Sequence, residues 1–168
     1  MRGEIEEVPV LIIGGSLVGL SAAAFLAAQG VKTLSVERHR GTAIHPRAGH
    51  FQLRTMEVLR SIGLQDTVRR TAEEQYDLDF GIAALESLAG RELAVFISNL
   101  NEGVEKVSPS LRFFMTQQSL EPLLRRRAEE LGARLSYATE MRSFRQDDDG
   151  VSAIIRDLDS GQERTVRA

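Results

Sequence analysis

Cysteine is absent from this 168-residue chain, and that absence removes disulfides, thiol nucleophiles and cysteine-type metal sites together. No apolar run approaches the length needed to span a bilayer. The N-terminal Met1-Arg2-Gly3-Glu4-Ile5-Glu6-Glu7 is polar and acidic, unlike a signal peptide. A soluble, cytoplasmic protein is the resulting expectation. Neither sign of charge dominates: the formal net charge is −3, so neither a nucleic-acid tract nor a disordered tail is indicated. Internal repeats and low-complexity segments are missing as well. A chain of this length forms one domain, or one domain with part of a second, and can bury a real core.

What is present begins at Val10-Leu11-Ile12-Ile13-Gly14-Gly15-Ser16-Leu17-Val18-Gly19-Leu20, followed by an alanine-rich run and then Leu34-Ser35-Val36-Glu37-Arg38. The order is strand, glycine turn, helix, strand, acid. Such a unit binds the ADP half of a dinucleotide, because the turn sets backbone N–H groups and the positive end of a helix against a pyrophosphate, and the acid accepts from a ribose hydroxyl. Glu37 stands 23 positions after Gly14 (37 − 14), near the spacing of about 20 that this role requires.

The G-x-G-x-x-G pattern is imperfect. Its three glycine positions hold Gly14, Ser16 and Gly19, and Gly15 fills the first free slot. Ser16 adds a Cβ where the backbone normally approaches the pyrophosphate. Its hydroxyl has two candidate roles, capping the helix or bonding a phosphate oxygen. A glycine turn that binds nothing is the plain alternative. Against it stand the N-terminal position, the apolar strand before the turn, Gly30 as a helix stop, and an acid closing the second strand.

Periodicity organises the rest. A helix apolar on nearly all sides runs from about Leu17 to Gln29, and residues 32–36 return as a strand parallel to the first. A polar loop covers residues 38–50. A second helix shows Leu53, Met56, Leu59 and Ile62 on one face and stops at Gly63. Residues from about 76 to 115, with short runs such as Leu93-Ala94-Val95-Phe96 and Leu111-Arg112-Phe113-Phe114-Met115, read as strands and loops of a covering layer. Leu120, Leu123, Leu124, Ala128 and Leu131 mark a third helix. Pro122 fits only a first turn, which places the helix start near Gln118 or Ser119 and leaves Gln117 in the preceding loop. Arg125, Arg126 and Arg127 fan out around this helix and read as a solvated face. The tail has strand-like segments at 134–137, 151–156 and 164–166, with a turn at Asp159-Ser160-Gly161.

Three motifs now stand in order: Gly14-Gly15-Ser16-Leu17-Val18-Gly19-Leu20 with Glu37-Arg38-His39; His45-Pro46-Arg47-Ala48 leading through Arg54-Thr55-Met56-Glu57 to Gly63; and Gln117 with Leu120-Glu121-Pro122-Leu123-Leu124. Together they resemble the N-terminal part of the class A flavoprotein monooxygenases, the family of p-hydroxybenzoate hydroxylase, and especially its branch of aromatic polyketide and phenol hydroxylases. The resemblance implies an α/β, Rossmann-like FAD-binding domain with a parallel sheet and a β-rich covering layer, incomplete relative to the family. Residues 1–168 would be the N-terminal part of that domain, with 76–115 contributing to the covering, substrate-side layer. The Asp-Gly and Gly-Asp motifs that the family carries further on have no counterpart here, so the chain is expected to be a fragment, a truncated gene product, or one piece of a protein whose remainder is another chain.

By the same resemblance, the glycine turn would hold the FAD pyrophosphate and Glu37 the adenosine ribose. Arg47 matches an arginine lying by the cofactor, with Pro46 stiffening the backbone before it, and Gln117 matches a glutamine that contacts FAD. The candidate cofactor-binding residues are Gly14, Gly15, Ser16, Leu17, Val18, Gly19, Glu37, Arg38, Arg47 and Gln117. No catalytic residue and no metal ligand is assigned, since His39, His45 and His50 lack a matching carboxylate pattern. The implied reaction is hydroxylation of a small phenolic or polyketide substrate with O2, NADPH or NADH reducing FAD and a flavin C4a-hydroperoxide transferring the oxygen. Nucleic acid and membrane are not expected partners. Two other readings compete: an NAD-dependent dehydrogenase, which flavin absorbance would exclude, and a non-catalytic FAD- or nucleotide-binding module, which turnover would exclude.

Overall fold

The computed structural model describes residues 5–45, 47 and 49–168. They divide into two compact units, one made of residues 1–46 and 120–168 and the other of residues 47–119. Among the described residues no helix is long and apolar enough to cross a membrane.

The first unit opens with β1 (Ile5–Glu7), β2 (Val10–Ile13), α1 (Leu17–Ala28) and β3 (Thr33–Val36). β2 and β3 pair in parallel from Val10 opposite Thr33 to Ile13 opposite Val36, with α1 as the crossover. A parallel neighbour on both sides explains why all four residues of β3 are buried. The helix buries Leu20, Ala23, Ala24 and Ala27, and the three small alanines let it lie close to its neighbours. The strand, turn, helix and strand expected at residues 10–36 are therefore present, with the parallel pairing that the reading required.

In the second unit β4 (His50–Phe51), α2 (Leu53–Ser61) and α3 (Gln65–Glu73) precede the antiparallel hairpin of β5 (Ile82–Leu85) and β6 (Glu92–Ile97). A 3-10 turn at Val104–Lys106 follows, and β7 (Phe113–Phe114) then pairs antiparallel with β4. Met56, Val68, Ala72 and Met115 are fully buried in this unit. The helix α3 is absent from the sequence expectation. Its apolar stripe consists of Val68 and Ala72 alone, too little for a periodic signal among Gln, Asp, Thr, Arg and Glu.

Helix α4 (Gln117–Glu130) returns the chain to the first unit. β8 (Arg134–Ser136) adds to the free side of β3 in parallel, completing the order β2-β3-β8. The strands β9 (Thr139–Asp147), β10 (Gly150–Asp157) and β11 (Glu163–Arg167) form an antiparallel meander, and β1 joins β11 in parallel. The tail thus splits between two sheets. Leu34 and Val36 from one and Ile155 and Val166 from the other meet in a common core, flanked by Val8, Leu11 and Met141.

One expected boundary is wrong. The third long helix begins at Gln117, not at Gln118 or Ser119, and Pro122 lies inside it. The Thr116 hydroxyl accepts from the Ser119 N–H at 3.3 Å, a capping contact that fixes the earlier start. Pro122 removes the bond to the carbonyl of exposed Gln118, which solvent can satisfy. Gln117 is consequently the first helical residue and not part of a loop. In the arginine run only Arg126 is exposed: Arg125 pairs with Glu129 and lies over the Tyr137 ring at 4.2 Å, and Arg126 and Arg127 pair with Glu130.

Candidate dinucleotide site

Within the first unit the turn between β2 and α1 is held by contacts that leave no freedom in its glycines. The Gly14 N–H donates to the Val36 carbonyl (2.8 Å) and the Ser35 hydroxyl to the Gly14 carbonyl (3.3 Å), so the turn is bolted to the end of β3. Gly14 has φ of +111°, a conformation that side chains rarely adopt. A Cβ on Gly19 would lie 1.9 Å from the Gly14 carbonyl oxygen, and one on Gly15 would lie 2.7 Å from the Glu37 Cβ. Conversely, a Cβ on Gly14 would meet nothing within 4 Å, so the outer side of the turn is bare backbone open to a ligand.

Glu37 lies where the sequence puts it, directly after β3. Its Oε2 accepts from the Gly15 N–H (2.7 Å), and its Oε1 accepts from the His39 N–H (2.8 Å) with the His39 Nδ1 at 2.6 Å. Burial opposes ionisation of this carboxylate, but the bonds from Gly15 and His39 outweigh it and hold its pKa below the usual range. A carboxylate has about four acceptor positions, so these three contacts leave room for one more donor such as a ribose hydroxyl. Arg38 is exposed beside it, and Arg40 forms an ion pair with Asp159.

Ser16 resolves the imperfect pattern in a way the sequence does not suggest. Its hydroxyl makes no helix-capping bond but donates to Oε1 of Glu121 at 2.6 Å. The same Oε1 accepts the Leu17 N–H (3.0 Å), and Oε2 accepts the Ala43 N–H (2.6 Å). Val18 is 84% exposed, and by helix geometry the amides of Val18 and Gly19 have no intrahelical acceptor. A group carrying a pyrophosphate fits this surface: open backbone, a helix N-terminus with amides to offer, and a serine hydroxyl held on Glu121.

Glu121 is the site residue that sequence reasoning missed, though a signal for it existed. It stands three positions before Leu124 and seven before Ala128, on the buried stripe of α4, and it is fully buried like them. A charged residue on an apolar helix face is there for a polar partner.

The second unit carries the other two candidates. The Gln117 N–H donates to the Arg47 carbonyl (2.9 Å) and the Met115 N–H to the Gly49 carbonyl (3.0 Å), extending the β4–β7 ladder. The two residues, 70 apart in sequence (117 − 47), are therefore adjacent on neighbouring segments. The Arg47 side chain is exposed and Gln117 is half-buried. The expected stiffening by Pro46 lies outside the described residues.

Residues 7–168 match the model of the FAD binding domain. The chain belongs to this family. It is 61% identical over 162 residues to a 4-methyl-5-nitrocatechol 5-monooxygenase from Burkholderia sp, covering 96% of this chain and 30% of that protein. Among solved structures it resembles the flavin-dependent monooxygenase PieE in complex with FAD and substrate, with a TM-score of 0.84, 36% identity and coverage of 96% of this chain and 29% of the other. A ternary complex of aklavinone-11 hydroxylase with FAD and aklavinone gives the same TM-score and identity, covering 98% and 32%. The chain thus spans about a third or less of the length of the proteins it matches.

Proposed function

We propose that this chain is the dinucleotide-binding part of an FAD-dependent monooxygenase that hydroxylates a small aromatic substrate, phenolic or polyketide, at the expense of NADPH or NADH and O2. The observation that carries the proposal is the turn from Gly14 to Gly19, open on its outer side and closed by Glu37, in a chain of the FAD binding domain family. The relative of 61% identity is a nitrocatechol monooxygenase, which favours a phenolic ring.

Each residue has a physical task in this reading. Gly14 to Gly19 present backbone and helix N-terminus to the pyrophosphate, with the first-turn amides of Val18 and Gly19 as donors. Glu37 accepts a ribose hydroxyl, and its charge disfavours a cofactor with a 2′-phosphate. Arg38 adds positive charge at the same end of the sheet. Arg47 and Gln117, backbone neighbours within the second unit, offer a guanidinium fork and an amide as further candidate FAD contacts. Residues 76–115 contribute to the covering, substrate-side layer. Bound FAD would supply the redox chemistry and the activation of O2, which no side chain here can perform.

The test combines binding with turnover. Purified protein should bind FAD stoichiometrically without a covalent link, and Gly14→Val should abolish this because a β-branched residue is strained at that φ. The full-length enzyme should yield a hydroxylated phenolic product, seen by mass spectrometry. Stoichiometric flavin in Gly14→Val, or NAD-linked hydride transfer without flavin, would overturn the reading.

A further inference from the structure

The serine in place of the middle glycine and the buried acid 105 positions later form one device. A Cβ at position 16 is tolerable beside a pyrophosphate only if its substituent points away from the ligand, and the hydroxyl of Ser16 does so because Glu121 Oε1 holds it at 2.6 Å. The same oxygen takes the first amide of α1, and the other takes the Ala43 amide from the loop after β3. One carboxylate from α4 therefore ties together the turn, the helix it opens and the loop after Glu37. Burying a carboxylate costs free energy unless donors surround it, and here three do.

We propose that Glu121 is the positioning residue of the dinucleotide turn, acting through Ser16: it replaces, by an anchored side chain, the space that glycine would leave at position 16. This rests on the reading of the turn as the FAD site. The replacement has a specific logic. With serine at 16 the anchor is needed, because a released hydroxymethyl group can rotate onto the phosphate face. With glycine at 16 no hydroxymethyl group remains to be anchored, and Glu121 keeps only the Leu17 and Ala43 amides.

Glu121→Gln is the diagnostic change, since a glutamine must turn its NH2 toward either Ala43 N–H or Leu17 N–H and cannot satisfy both sides. FAD would be titrated into the full-length apo-protein by flavin fluorescence, well below the melting temperature of each variant recorded by circular dichroism. The expected result is a dissociation constant raised about tenfold by Glu121→Gln with serine at 16 and raised only about threefold by the same change in a Ser16→Gly background, the remaining loss reflecting the Leu17 and Ala43 amides and the difference being the coupling expected of two groups in direct contact. A role for Glu121 in stability alone predicts the same fold-loss with serine or glycine at 16, and that result would overturn the proposal, as would an unchanged dissociation constant in Glu121→Gln. A parent protein that binds no FAD would overturn the functional reading and this inference together, whereas FAD binding without coupling between 16 and 121 would overturn this inference alone.

Discussion

Adding one methyl group at Gly19 tests the site more sharply than removing any side chain. The Cβ of Gly19→Ala would stand 1.9 Å from the Gly14 carbonyl oxygen and 2.8 Å from its carbonyl carbon, both backbone atoms without a rotamer to escape into. Reaching even 3.0 Å requires a displacement of about 1.1 Å (3.0 − 1.9) between α1 and the turn. The turn cannot yield easily, because Gly14 is bonded to β3 through its N–H and its carbonyl. Such overpacking costs about 1–3 kcal/mol of stability, which in a chain of this size lowers the melting temperature by about 2–12 °C. Shifting the first-turn amides by that distance takes a hydrogen bond of about 2.9 Å out of range, and losing one bond to a charged group is worth about 1.5–3 kcal/mol, or about tenfold to hundredfold in the FAD dissociation constant. Fluorescence titration reads the second effect and circular dichroism the first. Gly41→Ala, where a Cβ would meet nothing within 4 Å, is the matched control for stability and should leave the melting temperature unchanged. A Gly19→Ala protein that melts like the parent and binds FAD with the same constant would refute the close-approach argument.

Three further outcomes follow from named contacts. Glu37→Gln should weaken FAD by about 1–3 kcal/mol through loss of a charged hydrogen-bond partner; since the Glu37 pKa is lowered on folding, its stabilisation is present above the unfolded value of 4.5 and is lost as pH falls through the lower folded value, so acid unfolding curves of parent and variant should converge below that range. Thr116→Ala removes the hydroxyl that accepts from Ser119 N–H and should cost about 1 kcal/mol in urea unfolding, with an unchanged midpoint counting against Thr116 as the cap of α4. Ile155→Ala empties a fully buried position in the core between the two sheets of the first unit and should cost about 2–5 kcal/mol, a loss below 1 kcal/mol showing that the sheets do not close there.

How much of this was legible in the sequence depends on where each signal lies. The unit from Val10 to Glu37 is written locally: an apolar strand, a helix of small residues, Gly30 at its end, a second strand and an acid, each recognisable without its partners. β1 and β9 are not. Ile5-Glu6-Glu7 becomes a strand only because β11, about 160 residues away, offers a parallel edge, and β9 is largely exposed with charged residues that blur its alternation. The start of α4 was misjudged because Pro122 carries a strong local rule, whereas the contact that overrides it is a weaker one between Thr116 and Ser119. Arg47 and Gln117 were singled out by motif alone, and only the β4–β7 ladder makes them neighbours.

Ser16 is the instructive case, because read locally it is a defect. A glycine pattern treats position 16 as a question of size, and serine fails it. The folded chain treats the same position as a question of direction, and the answer is supplied by a carboxylate on a helix that begins a hundred residues later. Two oddities, a serine where glycine belongs and a glutamate on an apolar stripe, meet in one 2.6 Å hydrogen bond, and the Leu17 and Ala43 amides complete the carboxylate. When a local rule is broken inside a binding turn, an uncompensated polar residue elsewhere on a buried face is therefore the place to look for its partner.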